Sequence, residues 1–401
     1  MKIPRGEERT KVLHIITRLI LGGAQQNTMI TASQLDSAKF DVTLVSGPQT
    51  GSEGEIIGEV ERRGVRLHIL RELVREINPL RDLVTLVKLY RMVRGQAFVI
   101  VHTHSSKAGI LGRAAAKLAG VPVIIHTVHG WGFHDRMGGL QRWLLVQVER
   151  WAATISDKLI VVSSVLKDTG LRDGIGRPEQ YVTIYSGIDL LEFDRPSLDV
   201  AKKKSELGLP TGVPVVGTVG RLSSQKNPEG LLLAAQKVIQ RMPEARFLIV
   251  GDGPLRSRVE ESIRAMGISG NVVLTGIRHD IPELMAILDL FVLSSLWEGL
   301  PRVLPQAMAA GKPVVCTNVD GNMEAILNGV NGLLVPPRDA DALAHAILQL
   351  LRNPELARKM GLEGRKRVTS FSASKMVEDI EMLYRRLLSE RQGCTAVGSK
   401  K

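Results

Sequence analysis

The stretch SLWEGLPRVLPQAMAAGKPVV, residues 295–315, sets one carboxylate, Glu298, in a loop behind an apolar run. Gly299 and Leu300 follow with little to shield their amides, and Pro301 suits the first turn of a helix expected to run to Ala310. A helix N-terminus offers unpaired amides and a positive dipole end to a phosphate, while the neighbouring carboxylate accepts hydrogen bonds from sugar hydroxyls. Gln306 lies eight residues beyond Glu298, about two helical turns on. Upstream, VGRLSSQKNPEGLL carries Arg221 and, five residues later, Lys226, before Asn227-Pro228 opens a helix. A rigid guanidinium and a mobile ammonium at one strand end suit a diphosphate. Two solvated loop cations are the plainer alternative.

Weaker signals surround these. TRLILGGAQQNT puts Gly22 and Gly23 at a strand-to-helix turn that can receive an anion, or that is merely tight. It lacks the GxGxxG spacing, and no acidic residue ends the following strand to read a ribose, which disfavours a nicotinamide cofactor. HTHSSKAG and HTVHGWGFHD bring His102, His104, His126, His129 and His134 to strand ends. No carboxylate or cysteine stands beside the HxH pair, so no metal is expected. His129, between a buried strand and a Gly-Trp-Gly turn, is the one placed to meet a substrate hydroxyl or a phosphate. VGDGPLR, with Gly253, reads as turn chemistry alone. Asp339-Ala-Asp341 has the form of a metal-holding DxD, but opens a helix and reads better as an N-cap with a first-turn acid.

Short apolar runs alternating with helical spacing must position these groups. KVLHIITRL, FDVTLVSG, VRLHIL, FVIVHTH, PVIIHTVHG and KLIVVSS read as buried parallel strands; PVVGTVGRL, RFLIVGDG, VVLTG, LFVLSS, PVVCTN and GLLVPP repeat the style. The alternation predicts an α/β fold of two Rossmann-like domains with parallel sheets, ligands gathering at carboxyl ends of strands in a cleft between domains. Expected boundaries are 1–187 for the front domain, 188–212 for a charged, Pro- and Gly-containing linker, and 213–371 for the second domain. A closing helix at 372–391 and a frayed tail at 392–401 complete the expected layout.

Composition narrows the function. At 401 residues the chain suits two domains of roughly 200 residues. Cys316 and Cys394 form no CxxC pattern, so a disulfide framework or zinc site is not expected and a reducing cytoplasm fits. The apolar stretch near the N-terminus is broken by His14, Thr17 and Arg18, unlike a signal-peptide core. No run of about 18 apolar residues suggests a membrane span. Net charge is +12, of which residues 1–187, with 25 Lys and Arg against 17 Asp and Glu, carry +8. With four Trp, four Tyr and no nucleic-acid-binding signature, phosphate or lipid headgroup is a better partner than nucleic acid. LRDLVTLVKLYRMVRG, with Arg81, Lys88, Arg91 and Arg94, could rest on an anionic membrane, or be a packed helix with a solvated face.

Together, the GGAQ turn, HTHSSKAG, HTVHG, SGID at 186–189, VGRL, Lys226, VGDGP, GIRHDIPELM, the EGLP block and NGLLVPP resemble glycosyltransferase family 4 along nearly the whole chain. That family contains retaining enzymes of the GT-B fold that use nucleotide-sugar donors. The resemblance implies that Arg221 and Lys226 neutralise the leaving diphosphate, that Gly22 and Gly23 line it, and that Glu298 contacts the donor sugar, with His129 near it. Backbone around Gly276, Ile277 and Arg278 would hold the base. The family pattern is Glu, seven residues, Glu; here Gln306 replaces the second Glu, which contacts the nucleotide ribose. The resemblance further implies a UDP- or GDP-linked donor, no cofactor or metal, and a glycan or lipid-linked acceptor at the inner face of the cytoplasmic membrane. A sugar-nucleotide epimerase of related fold and a non-catalytic nucleotide-sugar binder remain the alternatives.

Overall fold

Seven strands build the first sheet: β1 (Thr10–Ile16), β2 (Phe40–Ser46), β3 (Arg66–Ile69), β4 (Ile100–His104), β5 (Val123–Val128), β6 (Lys158–Val161) and β7 (Tyr181–Thr183). Six build the second: β8 (Val215–Val219), β9 (Arg246–Val250), β10 (Val272–Gly276), β11 (Leu290–Leu293), β12 (Val314–Thr317) and β13 (Gly332–Val335). These come from a computed structural model that describes residues 8–49, 54–133, 137–193, 197–319 and 321–398. The chain divides into two units, Met1–Gly187 with Ala373–Lys401, and Ile188–Ser372.

Both sheets are wholly parallel, in the orders β3-β2-β1-β4-β5-β6-β7 and β10-β9-β8-β11-β12-β13. The near-continuous Val, Ile and Leu runs follow from burial on two faces, since crossover helices cover both sides of a parallel sheet. In the first unit one core holds Leu13, Ile15, Val101 and Ile124 under Leu89 and Ala115 from two helices. The opposite core holds Val12, Ile16, Ile100 and Ile125 under Met29 and the C-terminal helix. Strand order reverses between β1 and β4 in the first sheet and between β8 and β11 in the second. Those two switch points are where loops splay apart and leave room for a ligand.

The structure departs from the sequence reading in three places. β7, YVT, was not among the expected strands; it is a three-residue edge strand, too short for a periodic signal. The charged stretch at 188–212 belongs to the second unit and folds a helix, Val200–Glu206, capped by Asp199. Lys203 on that helix reaches Asp280 and Glu283, each at 2.5 Å, which anchors the stretch. The final helix runs Ala373–Gly398, past residue 391, because one Gly at 393 costs about 1 kcal/mol and does not by itself end a helix. It joins the first unit, packing on the helix Gly23–Gln34 and contributing Met376, Val377, Ile380, Leu383, Tyr384 and Leu387 to its core.

Candidate active site

At the second sheet's switch point, the loop after β8 is stitched to the loop after β11. The Ser294 hydroxyl donates to the carbonyls of Lys226 (2.9 Å) and Asn227 (3.1 Å), and the Leu296 amide donates to the Gln225 carbonyl at 2.8 Å. Asn227, at φ +49°, caps the helix Pro228–Arg241 through its side chain, as Asn-Pro led one to expect. This stitching brings Lys226 and Glu298, 72 residues apart, into an ion pair. The Ser295 hydroxyl donates to Glu298 Oε1 at 2.6 Å and the Gln225 amide approaches Oε2 at 3.4 Å, so the buried carboxylate is charge-paired and held on both oxygens. Cys316 lies close enough for the Glu298 charge to add to burial in pushing its thiol well above the usual range.

Glycines explain how tightly this frame is drawn. A Cβ on Gly321 would lie 1.6 Å from the Gly299 carbonyl oxygen, so the loop after β12 presses directly on the EGLP loop. A Cβ on Gly251 would lie 2.0 Å from the Gly220 oxygen, and one on Gly253 2.5 Å from the Leu222 oxygen. VGDGP is therefore more than a turn: its bare backbone packs on either side of exposed Arg221, whose neighbours are fixed by Gly220 N to Val250 O (2.9 Å) and Leu222 N to Asp252 O (3.0 Å). Gly276, at φ +72°, accepts from the Gly251 amide at 2.9 Å, bringing Gly276 and the half-buried Ile277 beside the same turn. Arg278 is turned onto Asp280 through two bonds, and that guanidinium holds the Asp280 carboxyl well below its usual range.

The helix after Glu298 is shorter than expected. It runs Val303–Ala309 with Arg302 as N-cap, so Pro301 stands just outside it and Gln306 lies one turn in, not two. Pro305 has no N–H to close an α-turn onto the Pro301 carbonyl, which accepts from the Leu304 amide at 3.0 Å instead, so the helix does not start sooner. Among the described residues the amides of Gly299 and Leu300 donate no hydrogen bond. Asp339 is the N-cap of Ala340–Leu351, accepting from Ala342 N at 2.8 Å, and Asp341 pairs with Lys237. The DxD resemblance thus resolves into helix capping.

In the first unit Gly22 is the N-cap of Gly23–Gln34, with extended backbone and no side-chain cap, leaving first-turn amides for another acceptor. Beside it, at the switch point, Ser105 adopts φ +59°, ψ 158°, a region costing a non-glycine residue about 1–3 kcal/mol. Thr17 holds it there: the two hydroxyls are 2.7 Å apart and the Thr17 amide donates to Ser105 Oγ at 3.2 Å. Neither residue was singled out from the sequence, where Ser-Ser before a helix reads as an ordinary cap.

The HxH pair does point both rings to one face, and a third ring joins them. His14 on β1 is in register with His102 on β4, and both are fully buried with His104. The best-placed nitrogens of the three lie within 4.8 Å of one another, but every ring nitrogen already has a hydrogen-bonding partner. Burial lowers the His14 pKa to about 3 and those of His102, His104 and His126 well below the usual value, so these rings are neutral. His126 is in register with Thr103 and bonds it at 2.9 Å on the sheet's other face, away from the cluster. Half-buried His129 meets His104 at 3.2 Å. His134 lies outside the described residues. His14 was missed because its proximity to His102 depends on strand register.

Two Rossmann-like units, each built on a wholly parallel sheet, have the architecture of a glycosyltransferase of the GT-B fold. The family model for glycosyl transferases group 1 matches residues 199–367, and that for the glycosyl transferase 4-like domain matches residues 22–187. The chain belongs to glycosyltransferase family 4. It is 32% identical over 383 residues to an Escherichia coli UDP-Gal:alpha-D-GlcNAc-diphosphoundecaprenol alpha-1,3-galactosyltransferase, covering 94% of this chain and 97% of the relative. It is 26% identical to the capsular polysaccharide biosynthesis glycosyltransferase CapM of Staphylococcus aureus, over 96% and 99% of the two chains. The crystal structure of Anabaena HepE in complex with UDP and glucose superimposes with a TM-score of 0.82 at 23% identity, covering 94% of this chain and all of that one.

Proposed function

We propose that this glycosyltransferase moves a hexose or N-acetylhexosamine, with retention and without a metal, from a UDP- or GDP-linked donor to a hydroxyl of a glycan or lipid-linked acceptor in cell-surface polysaccharide or glycolipid synthesis. The observation that carries the reading is the Lys226–Glu298 pair at the second sheet's switch point, with Arg221 on the same loop. Arg221 and Lys226 stabilise the departing diphosphate, and Glu298 and His129 hydrogen-bond sugar hydroxyls. The Gly22-Gly23 turn and the Gly299 and Leu300 amides face diphosphate oxygens, while Gly253, Gly276, Ile277 and Arg278 shape the nucleotide pocket and Gln306 holds the ribose. The sugar C1–O bond to phosphate breaks, a new C1–O bond forms to the acceptor on the same face, and the acceptor's proton passes to the leaving phosphate oxygen. No protein nucleophile takes part; fixed charge at the leaving group supplies the stabilisation, each donor worth about 2–4 kcal/mol in a dry site.

A lipid-linked acceptor is favoured by the printed name of the Escherichia coli relative and by an apolar face on the first unit. The helix Pro79–Gln96 exposes Leu80, Leu83, Val84 and Val87 at successive turns, and Gly139–Thr154 exposes Leu140, Trp143, Leu144, Val148 and Trp151. Both pack against the intervening helix Ser106–Ala119, and Arg81, Arg91 and Arg94 accompany the first stripe. Tryptophan with flanking cations matches an anionic bilayer interface, at the cytoplasmic side of the membrane. Among the described residues no helix is long and apolar enough to cross a membrane, so contact would be peripheral.

The test is incubation with a panel of UDP-, GDP- and ADP-sugars, with and without polyprenyl-diphosphate-sugar acceptors, following nucleoside diphosphate release and the anomeric configuration of the product by NMR. Acceptor-dependent release, an unchanged anomer and full activity in EDTA are expected. Inversion would overturn the mechanism, epimerised free sugar would mean an epimerase, and binding without turnover would mean a binder.

A further inference from the structure

The two oxygens of the Glu298 carboxylate are used unequally. Oε1 accepts from the fully buried Ser295 hydroxyl at 2.6 Å and from the Lys226 ammonium, and two donors fill a carboxylate oxygen. Among the described residues Oε2 has a single approach, from Gln225 Nε2 at 3.4 Å. That is well beyond the length of a charge-assisted N–H···O bond, about 2.7–2.9 Å.

Gln225 is held so that it does not close the gap. Its backbone carbonyl accepts from the Leu296 amide at 2.8 Å, and its Nε2 donates to the Trp297 carbonyl at 2.9 Å. Both ends of the residue are thus pinned to the loop that carries Glu298. The same contacts orient the amide: its nitrogen faces a carbonyl and a carboxylate, where the amide oxygen would meet two acceptors. A carboxamide nitrogen carries two N–H groups, and Trp297 uses one of them. A donor and an acceptor therefore stand side by side, each with a bond to spare. A hydroxyl answers both, because its O–H donates while its oxygen accepts; an ionised phosphate oxygen only accepts. The pair lies on the loops after β8 and β11, at the second sheet's switch point, where a ligand enters such a sheet.

We propose that Gln225 is a specificity-determining residue which, with Glu298 Oε2, reads one hydroxyl of the donor sugar. That hydroxyl donates to Oε2 and accepts from Gln225 Nε2. Because Ser295 and Lys226 fill Oε1, Glu298 offers one oxygen and does not bridge two neighbouring hydroxyls. This deepens the transferase reading and rests on Glu298 meeting the donor sugar.

The test crosses variants with deoxygenated donors. Whichever of UDP-glucose, UDP-galactose, UDP-N-acetylglucosamine and GDP-mannose gives acceptor-dependent nucleotide release is compared with its 3-, 4- and 6-deoxy forms. Each donor is run on wild type, on Gln225→Met, which keeps the side chain's length, and on Gln225→Ala. In wild type one deoxy donor should lose at least about a hundredfold in kcat/KM, because its binding leaves both protein groups unpaired. On the parent donor each variant should lose about fivefold, the worth of one neutral hydrogen bond. On that one deoxy donor the variants should cost nothing further, and on the other two the fivefold loss should persist. An equal loss on all four donors marks loop packing and overturns the proposal. So do full activity of both variants on the parent donor and coupling to more than one hydroxyl. Calorimetric titration of the same donors onto the same proteins, without acceptor, repeats the comparison in Kd. Binding without turnover would then count against the transferase reading, while the pattern of affinities still decides this one.

Discussion

Acid should unfold the first unit through its buried histidines, and the size of the effect follows from the structure. His14, His102, His104 and His126 have folded-state pKa values far below the ordinary 6.5, His14 at about 3, because burial disfavours the charged ring. A depressed folded pKa gives stability that is complete above pH 6.5 and is lost as pH falls, since the unfolded chain binds protons that the folded one refuses. Between pH 7.5 and 5.5 each unfolded histidine goes from about one-tenth to nine-tenths protonated while its folded counterpart stays neutral. By linkage that is somewhat over 1 kcal/mol for each, and on the order of 5 kcal/mol for the four. A domain's whole stability is about 5–15 kcal/mol, so the change is large. Trp131, Trp143 and Trp151 lie in the first unit and Trp297 in the second, so tryptophan fluorescence in urea mainly follows the first. Its urea midpoint should fall by roughly 2 M over this range. The second unit, whose only histidines, His279 and His345, are exposed, is an internal control. Equal first-unit midpoints at pH 7.5 and 5.5 would refute the assignment of neutral buried rings.

Other outcomes follow from the site. Arg221→Ala or Lys226→Ala should lower turnover at least about a hundredfold in the nucleotide-release assay, whereas an unchanged rate would remove them from leaving-group stabilisation. Gln306→Glu should bind donor as well or better, by up to about thirtyfold in calorimetry, since a charge-assisted bond exceeds a neutral one by roughly 1–2 kcal/mol. Inactivity of the natural chain cured only by that change would give position 306 a larger part. Gly321→Ala places a methyl against the Gly299 carbonyl and should abolish donor binding while circular dichroism stays native; unaltered affinity would mean the loops are slack. Trp143→Ala with Trp151→Ala should release the chain from anionic liposomes at low salt in co-sedimentation, and full retention would argue against that face.

The strands were legible because parallel strands buried on both sides leave unmixed apolar runs, as in KVLHIITRL and RFLIVGDG. Residues whose roles depend on local turns, such as Asn227 at its helix start, were equally readable. What escaped was whatever depends on pairing. His14 joins His102 through register between β1 and β4, and Tyr384 reaches both from a segment 282 residues beyond His102. The strain at Ser105 has no sequence signature, since the Thr17 hydroxyl that holds it comes from the bend after β1, 88 residues away. The force of the glycines in VGDGP was hidden likewise: a turn explains them locally, but their need comes from the Arg221 loop pressing on them.

The return of residues 373–398 to the first unit means that this unit is encoded in two pieces separated by the whole of the second. On the ribosome, the strands carrying His14, His102 and His104 emerge well before the helix that roofs them. At about 5–20 residues per second, the intervening 185 or so residues take on the order of 10–40 seconds to make. During that interval the sheet face under Met376, Ile380, Leu383 and Tyr384 has no cover of its own. Maturation of the histidine-bearing unit is thus timed by synthesis of its neighbour. A chain halted just after residue 372 would leave that face as a standing target for chaperones and proteases.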